Sequence, residues 1–225
     1  MKLVDAVIFD LDETLVNTYP AHIKACKKVA EKIEEKFNKR GLTEALIQHT
    51  QRLDRNRNYD RNSWWLTFLL SIGLKADIPF LKYLTKLYWE TFMKEAKLFR
   101  GVKSTLSYLR RKGYKLALVA DTDGIPSFKR ERVKKFGLAL FFDEIVIAGE
   151  EGTKIRPHPS AYLLTAKKLG VKPERCLVVG DKPFTDIKGG KNAGMLTALV
   201  LRRYWPTNPQ PTIVITSISQ LKEIL

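Results

Sequence analysis

Asp10 and Asp12 are the side chains in this sequence best placed to do chemistry. They close an apolar run, Val4-Asp5-Ala6-Val7-Ile8-Phe9, and flank the single apolar residue Leu11. In an extended backbone both therefore point to the same side. Two close carboxylates repel and raise one another's pKa unless a cation relieves them. A hard divalent ion such as Mg²⁺ takes oxygen ligands and leaves positions open for a substrate phosphate. The same residues would also suit an acidic, solvated strand-to-loop turn, so the rest of the chain has to decide.

Two more apolar runs end in the same way. Lys115 to Ala120 is followed by Asp121-Thr122-Asp123-Gly124, and Cys176 to Val179 by Gly180-Asp181, with Asp186 five residues further on. Strands of one parallel sheet end at one edge, so carboxylates distant in sequence can converge there. Gly180 lets the backbone approach closely, and the acidic groups around it can hold a cation or its waters. His22, His49 and His158 have no such company and read as solvated or locally bonded imidazoles.

The elements that must position these carboxylates follow from the patterning. The opening run reads as a strand buried on both faces, as in parallel sheets covered by helices. Helical spacing then takes over. Ile23, Cys26, Ala30, Ile33 and Phe37 share one helix face, and a second segment opens at Thr43 as a candidate N-cap. A third runs Asn62 to Ile72, and a fourth runs from Asp77 through Leu81, Leu84, Leu87, Tyr88 and Phe92. Four inserted helices would bury their stripes against one another as a small bundle. Trp64 and Trp65 are adjacent and cannot face one groove, so one is expected in the bundle core while the other could overhang the acidic crevice.

From Gly101 strands and helices alternate: helix Val102 to Lys112, strand to Ala120, helix Pro126 to Phe136, strand Glu144 to Gly149, helix Ser160 to Leu169, strand Cys176 to Val179, helix Asp186 to Ala193, then strands Leu196 to Leu201 and Thr212 to Thr216. Ser217 or Ser219 can cap a short last helix. The stretch Pro206 to Pro211 is too short for a linker. Such alternation implies right-handed crossovers and a parallel, three-layer sheet. The expected fold is an α/β, Rossmann-like core over 1–15 and 99–225, with a four-helix cap over 16–98.

At 225 residues, with 44% hydrophobic and 28% charged residues, the chain suits one large domain carrying an insert. No run of about 18 apolar residues and no signal-like start appears, which points to a cytoplasmic protein with no membrane partner. The two cysteines, Cys26 and Cys176, read as buried free thiols. A formal charge of +16 favours anionic partners, whether phosphorylated metabolites, nucleic acid or a membrane surface. The basic residues are scattered along helices, which fits a solvated Lys-rich surface.

Asp10-Leu11-Asp12-Glu13-Thr14 resembles the first motif of the haloacid dehalogenase superfamily, and Gly180 through Asp186 resembles its last. The strand order and the insert after the first motif also match, so the resemblance covers essentially the whole chain. It implies that Asp10 attacks phosphorus to form an aspartyl-phosphate, and that Asp12 protonates the leaving oxygen and then activates water. It implies Mg²⁺ held by Asp10, the backbone carbonyl of Asp12, and Asp181, with Asp186 as a direct or water-mediated helper. Members acting on carbon–halogen bonds lack a carboxylate at the position of Asp12, so Asp12 argues for phosphate chemistry.

Two positions depart from the family pattern. The second motif's Ser or Thr is Ala120 here, with Asp121 following as in many members and Thr122 offering a hydroxyl one position on. The third motif's Lys before Pro is Arg156, with Lys154 two residues earlier. Asp121, Thr122, Lys154 and Arg156 are thus the expected phosphate-binding residues. The leading expectation is a Mg²⁺-dependent phosphatase for a small phosphorylated substrate, since a long cap disfavours nucleic acid and proteins. A phosphomutase of the same superfamily, or a weakly catalytic anion-binding protein for which nucleic acid is a candidate, are the alternatives. The oligomeric state is left open.

Overall fold

The protein is described here as a computed structural model covering residues 2–202 and 208–225. Of the stretch Pro206 to Pro211, residues 206 and 207 lie outside the described residues. Strand β1 (Ala6–Phe9) is buried along its whole length, as its unbroken apolar run requires. After it come β2 (Val16–Asn17), helices α1 (Tyr19–Phe37), α2 (Thr43–Arg55), α3 (Arg61–Ser71) and α4 (Ile78–Glu95), and β3 (Lys97–Leu98). The alternating part contains α5 (Val102–Arg111), β4 (Lys115–Asp121), α6 (Phe128–Lys135), β5 (Glu144–Ala148), α7 (Ser160–Leu169), β6 (Cys176–Gly180), α8 (Lys188–Asn192), β7 (Leu196–Val200), β8 (Ile213–Ile215) and α9 (Leu221–Ile224).

Six strands form one parallel sheet in the order β5-β4-β1-β6-β7-β8. The chain leaves β1 for β4 and β5 on one side and crosses to β6 on the other, which makes β1 the topological switch point where such sheets bind ligands. Phe9 is level with Leu118 on β4 and with Val179 on β6. The three central strands therefore deliver their following residues to one edge. One face packs Ala6, Ile8, Ala117, Val119 and Val178 against Ala161, Tyr162, Ala166 and Leu169 of α7; α5 lies against β4 and is covered by α9. The result is a three-layer, Rossmann-like α/β core.

Two compact units are present, Met1–Asn17 with Lys97–Thr122 and Pro126–Leu225, and Thr18–Ala96 with Asp123–Ile125. The expected division at 15/16 and 98/99 falls at the antiparallel pair of β2 and β3, whose two residues each are too few for alternation to be read. The helical unit is held by the stripe Ala21, Ala25, Cys26, Val29, Ala30 and Ile33 of α1 and by Leu81, Leu84, Thr85, Tyr88, Trp89 and Phe92 of α4. Asp60 and Asp77 cap α3 and α4 by accepting from the backbone N–H of Asn62 and Phe80. Thr43, by contrast, is the first residue of α2 instead of its cap.

Trp64 and Trp65 are both buried, so neither overhangs as an exposed wall. Their rings meet edge to face at 6.1 Å, Trp64 Nε1 donates to the Asn58 carbonyl, and Trp65 Nε1 donates to Thr85. The Arg61 guanidinium stacks 3.7 Å from the Trp64 ring centre. A tightly packed aromatic cluster admits adjacent tryptophans when each indole N–H finds a partner. Both cysteines are free and buried. Among the described residues no helix is long and apolar enough to cross a membrane.

Candidate active site

The site begins where β1 runs out. Asp10 extends the ladder by donating its backbone N–H to the Val179 carbonyl at 2.9 Å. The chain then turns back at once: Glu13 has a φ of 63° and donates to Val16, while Leu15 and Val16 both donate to the Leu11 carbonyl. Arg202 fixes this turn from outside, its Nε donating to the Glu13 carbonyl and its guanidinium stacked 3.7 Å over Phe99.

On the neighbouring strand, β6 ends at Gly180, where a Cβ would stand 2.3 Å from Asp186 Cγ. Only glycine admits the Asp186 carboxylate there. The sequence placed Asp186 at the start of a helix, but residues Pro183–Ile187 form a single π-type turn before α8. Such turns gather at functional sites. Here the turn swings Asp186 back so that its Oδ2 accepts from the Lys182 backbone N–H at 2.9 Å.

Asp10, Asp181 and Asp186 consequently bring one oxygen each within 4.8 Å of one another, all three buried. Both Asp181 oxygens are buried with no hydrogen-bond partner among the described residues. Burial pushes the Asp181 carboxyl well above the usual range; Lys182 opposes this, while Asp186 and Asp10 push the same way as burial. An orphaned carboxyl among other carboxylates, aimed into a buried cluster, has the chemistry of a hard-cation ligand. These three residues fit a divalent ion such as Mg²⁺.

Arg156 closes the cluster. Its Nη1 donates to Asp10 Oδ1 at 2.9 Å and to Asp186 Oδ1 at 2.5 Å, its Nε lies 3.2 Å from Asp121 Oδ1, and its backbone N–H donates to the same Asp121 oxygen at 3.0 Å. The side chain is buried, and although burial disfavours its charge, the three carboxylates hold the guanidinium firmly protonated. Asp10 is pushed up to about 7, by burial first and by Asp186 next, with Arg156 opposing.

Asp12 stands in a different setting. Its side chain is 30% exposed, and its oxygens are taken by Lys129 Nζ at 2.7 Å, by Arg132 Nη1 at 3.2 Å and by a closer contact with Arg132 Nη2. Burial opposes its charge, but Arg132 and Lys129 outweigh it and hold the carboxyl below its usual range. Asp10 and Asp12 thus carry opposite perturbations, the pattern that separates acid–base roles within one site.

Of the expected residues, Asp10, Asp121, Arg156, Asp181 and Asp186 come together in one buried cluster, and Asp12 lies beside it under its own clamp. The side chain of Thr122 lies by Gly149 at the end of β5, and its backbone N–H donates to Ala148. Lys154 is exposed and, among the described residues, joins no ion pair. Asp123 belongs to the compact helical unit with Gly124 and Ile125. The sequence reading missed Lys129 and Arg132, which are 4% and 1% exposed. A signal was present: α6 reads Phe-Lys-Arg-Glu-Arg-Val-Lys-Lys, with too little apolar content to cover a sheet, so its inward face has to be basic.

A parallel α/β sheet whose switch point carries three buried carboxylates fit for a cation, with a further carboxylate clamped beside them, has the layout of a hydrolase site. Residues 4–194 match the haloacid dehalogenase-like hydrolases. The chain is 31% identical over 240 residues, 99% of its length and 100% of the relative's, to the glyceraldehyde 3-phosphate phosphatase of Methanothermobacter thermautotrophicus. It is 27% identical to the human N-acylneuraminate-9-phosphatase, covering 100% of this chain and 95% of that one. The crystal structure of a phosphatase of this superfamily from Thermococcus onnurineus superposes with a TM-score of 0.74 at 26% identity, over 98% of this chain and 97% of that chain. The chain belongs to the haloacid dehalogenase-like hydrolases and is an enzyme of their phosphatase branch.

Proposed function

We infer that the protein is a Mg²⁺-dependent phosphohydrolase that acts on a small phosphorylated metabolite in the cytoplasm through an aspartyl-phosphate. The observation that carries this reading is the convergence of Asp10, Asp181 and Asp186 at the end of β1, with Asp10 directly on the strand terminus. When bound, the ion offsets charge between the nucleophile and the phosphate. Asp10, in its ionised form, attacks phosphorus in line; the new carboxylate–phosphorus bond forms as the ester oxygen departs. Asp12 serves the leaving oxygen and then takes a proton from the water that hydrolyses the acyl phosphate.

Lys129 and Arg132 shape how Asp12 does this. They favour its ionised form, which suits the second step directly. In the first step a leaving oxygen that needs a proton draws it from a carboxyl protonated against two cations. The backbone amides beyond Asp10 add donors for phosphate oxygens. The relatives' names put glyceraldehyde 3-phosphate and N-acylneuraminate 9-phosphate on the panel of candidate substrates.

A second reading, a weakly catalytic anion-binding protein, is favoured by Arg156, which spends its guanidinium on Asp10 and Asp186. Hydrolysis of p-nitrophenyl phosphate with and without Mg²⁺, for wild type and Asp10→Asn, separates the two. Metal-dependent turnover lost in the variant supports the phosphatase. Absence of turnover from the wild type as well, on this ester and on the panel, moves the anion-binding reading to the front.

A further inference from the structure

Arg156 stands where the superfamily motif that this chain resembles carries a lysine, and its surroundings give the exchange a consequence. Two of the three carboxylates that fit a divalent ion, Asp10 and Asp186, have their Oδ1 atoms on one guanidinium nitrogen, at 2.9 and 2.5 Å. The third, Asp181, has neither oxygen hydrogen-bonded among the described residues. The guanidinium is pinned from behind as well. Its Nε faces Asp121 at 3.2 Å, its own backbone N–H holds the same carboxylate at 3.0 Å, and Nη1 reaches the Val119 carbonyl at 3.4 Å.

A lysine at this position would present a single ammonium on a flexible stem, free to retreat to one carboxylate. A planar, permanently charged fork fixed at both ends cannot withdraw without giving up several contacts together. Two cations drawing on the same buried carboxylates repel strongly where water is scarce. The trio therefore has two competing claims on Asp10 and Asp186 and an undisputed one on Asp181.

We propose that Arg156 is an internal counter-ion that competes with the divalent cation for Asp10 and Asp186, so that loading the site requires the guanidinium to release those carboxylates. This rests on the reading that the trio is the metal site. Arg156 is then a positioning residue with two states. In one it ties the end of β1, the end of β4 and the 183–187 turn together and blocks the nucleophile. In the other it is freed from Asp10 and can face a phosphate oxygen. Metal loading and nucleophile release become one event, and affinity for the ion is set below what the carboxylates alone would give.

The test is Mn²⁺ binding followed by electron paramagnetic resonance without substrate, on wild type, Arg156→Lys and Asp181→Asn. Arg156→Lys is expected to bind about tenfold more tightly or better, the scale on which groups contacting a metal's ligands move affinity. Its chelator-treated form is expected to melt several degrees lower, since the cross-link is loosened. Should Asp181→Asn weaken binding while Arg156→Lys binds no more tightly than wild type, the metal site stands and the competition is overturned. Should Asp181→Asn bind as well as wild type, the ion does not use this cluster, and the metal-site reading falls together with the proposal. A wild-type measurement covers the case in which Arg156→Lys does not fold. The Nε–H resonance of Arg156, assigned through the backbone in ¹⁵N-labelled protein, must shift as Mg²⁺ saturates the site. A resonance that stays in place at saturation overturns the proposal.

Discussion

Asp12 illustrates how two neighbours set the chemistry of one side chain. With Lys129 and Arg132 on its oxygens, it is poised as a base more than as an acid, so the cost of protonating a poor leaving group falls on the first step. The protein is therefore expected to turn over p-nitrophenyl phosphate, whose phenolate leaves without a proton, faster than an alkyl ester such as glycerol phosphate. Arg132→Met should narrow that ratio by easing protonation of Asp12. Steady-state kcat/KM values for both esters with both proteins check this, and a ratio that widens in the variant counts against it. The same substitution strips one partner from a partly buried pair and should destabilise the fold by about 1–3 kcal/mol.

At the scale of elements, α6 and the 183–187 turn do the positioning. α6 gives up an apolar inner face to present Lys129 and Arg132. The turn interrupts what the pattern reads as plain helix, so that Asp186 can reach back over Gly180. In the helical unit the corresponding device is Thr85, whose hydroxyl accepts from Trp65 Nε1 at 2.9 Å and donates to Asn62 Oδ1 at 2.7 Å. Thr85→Val keeps the shape and removes both bonds, leaving a buried indole N–H unsatisfied, at a cost of about 1–3 kcal/mol. Urea unfolding followed by tryptophan fluorescence should show that loss, while Thr85→Ser stays close to wild type. Equal stability of the two variants would mean the bridge does not hold α3 to α4.

Across the whole molecule the buried carboxylates link stability to pH. Asp10 is raised to about 7, and Asp181 and Asp186 are also raised, in each case chiefly by burial. Between their unfolded value near 3.8 and their folded values, the native state binds protons that the unfolded chain has released. Stability must therefore fall as pH rises through that window. Asp12 works in the opposite sense: its lowered pKa contributes stability present above the unfolded value and lost as the solution becomes more acid. In the presence of a chelator, the melting temperature is expected to drop between pH 5 and 8. Added Mg²⁺ should restore more at pH 8 than at pH 5, because the ion takes the place of the protons. A chelated protein that grows more stable from pH 5 to 8 would contradict this assignment.

The sequence by itself determined the layered α/β core, the central place of β1 and the gathering of Asp10, Asp121, Asp181 and Asp186 at one edge. Unbroken apolar runs specify buried parallel strands, and the carboxylates sit where those runs stop. Periodicity likewise marked the four inserted helices, because each buries one stripe. Only the tertiary structure decided what surrounds each carboxylate. The reach of Arg156 to three acids, the clamp of Lys129 and Arg132 on Asp12 and the backward turn at Asp186 join residues up to 146 positions apart. Local patterning marks the inward face of α6 as basic but carries no record of which carboxylate each long, flexible cation will reach. The two-residue pair β2–β3 and the burial of both adjacent tryptophans escaped for a related reason, since one is too short to show a period and the other depends on partners supplied by Asn58 and Thr85.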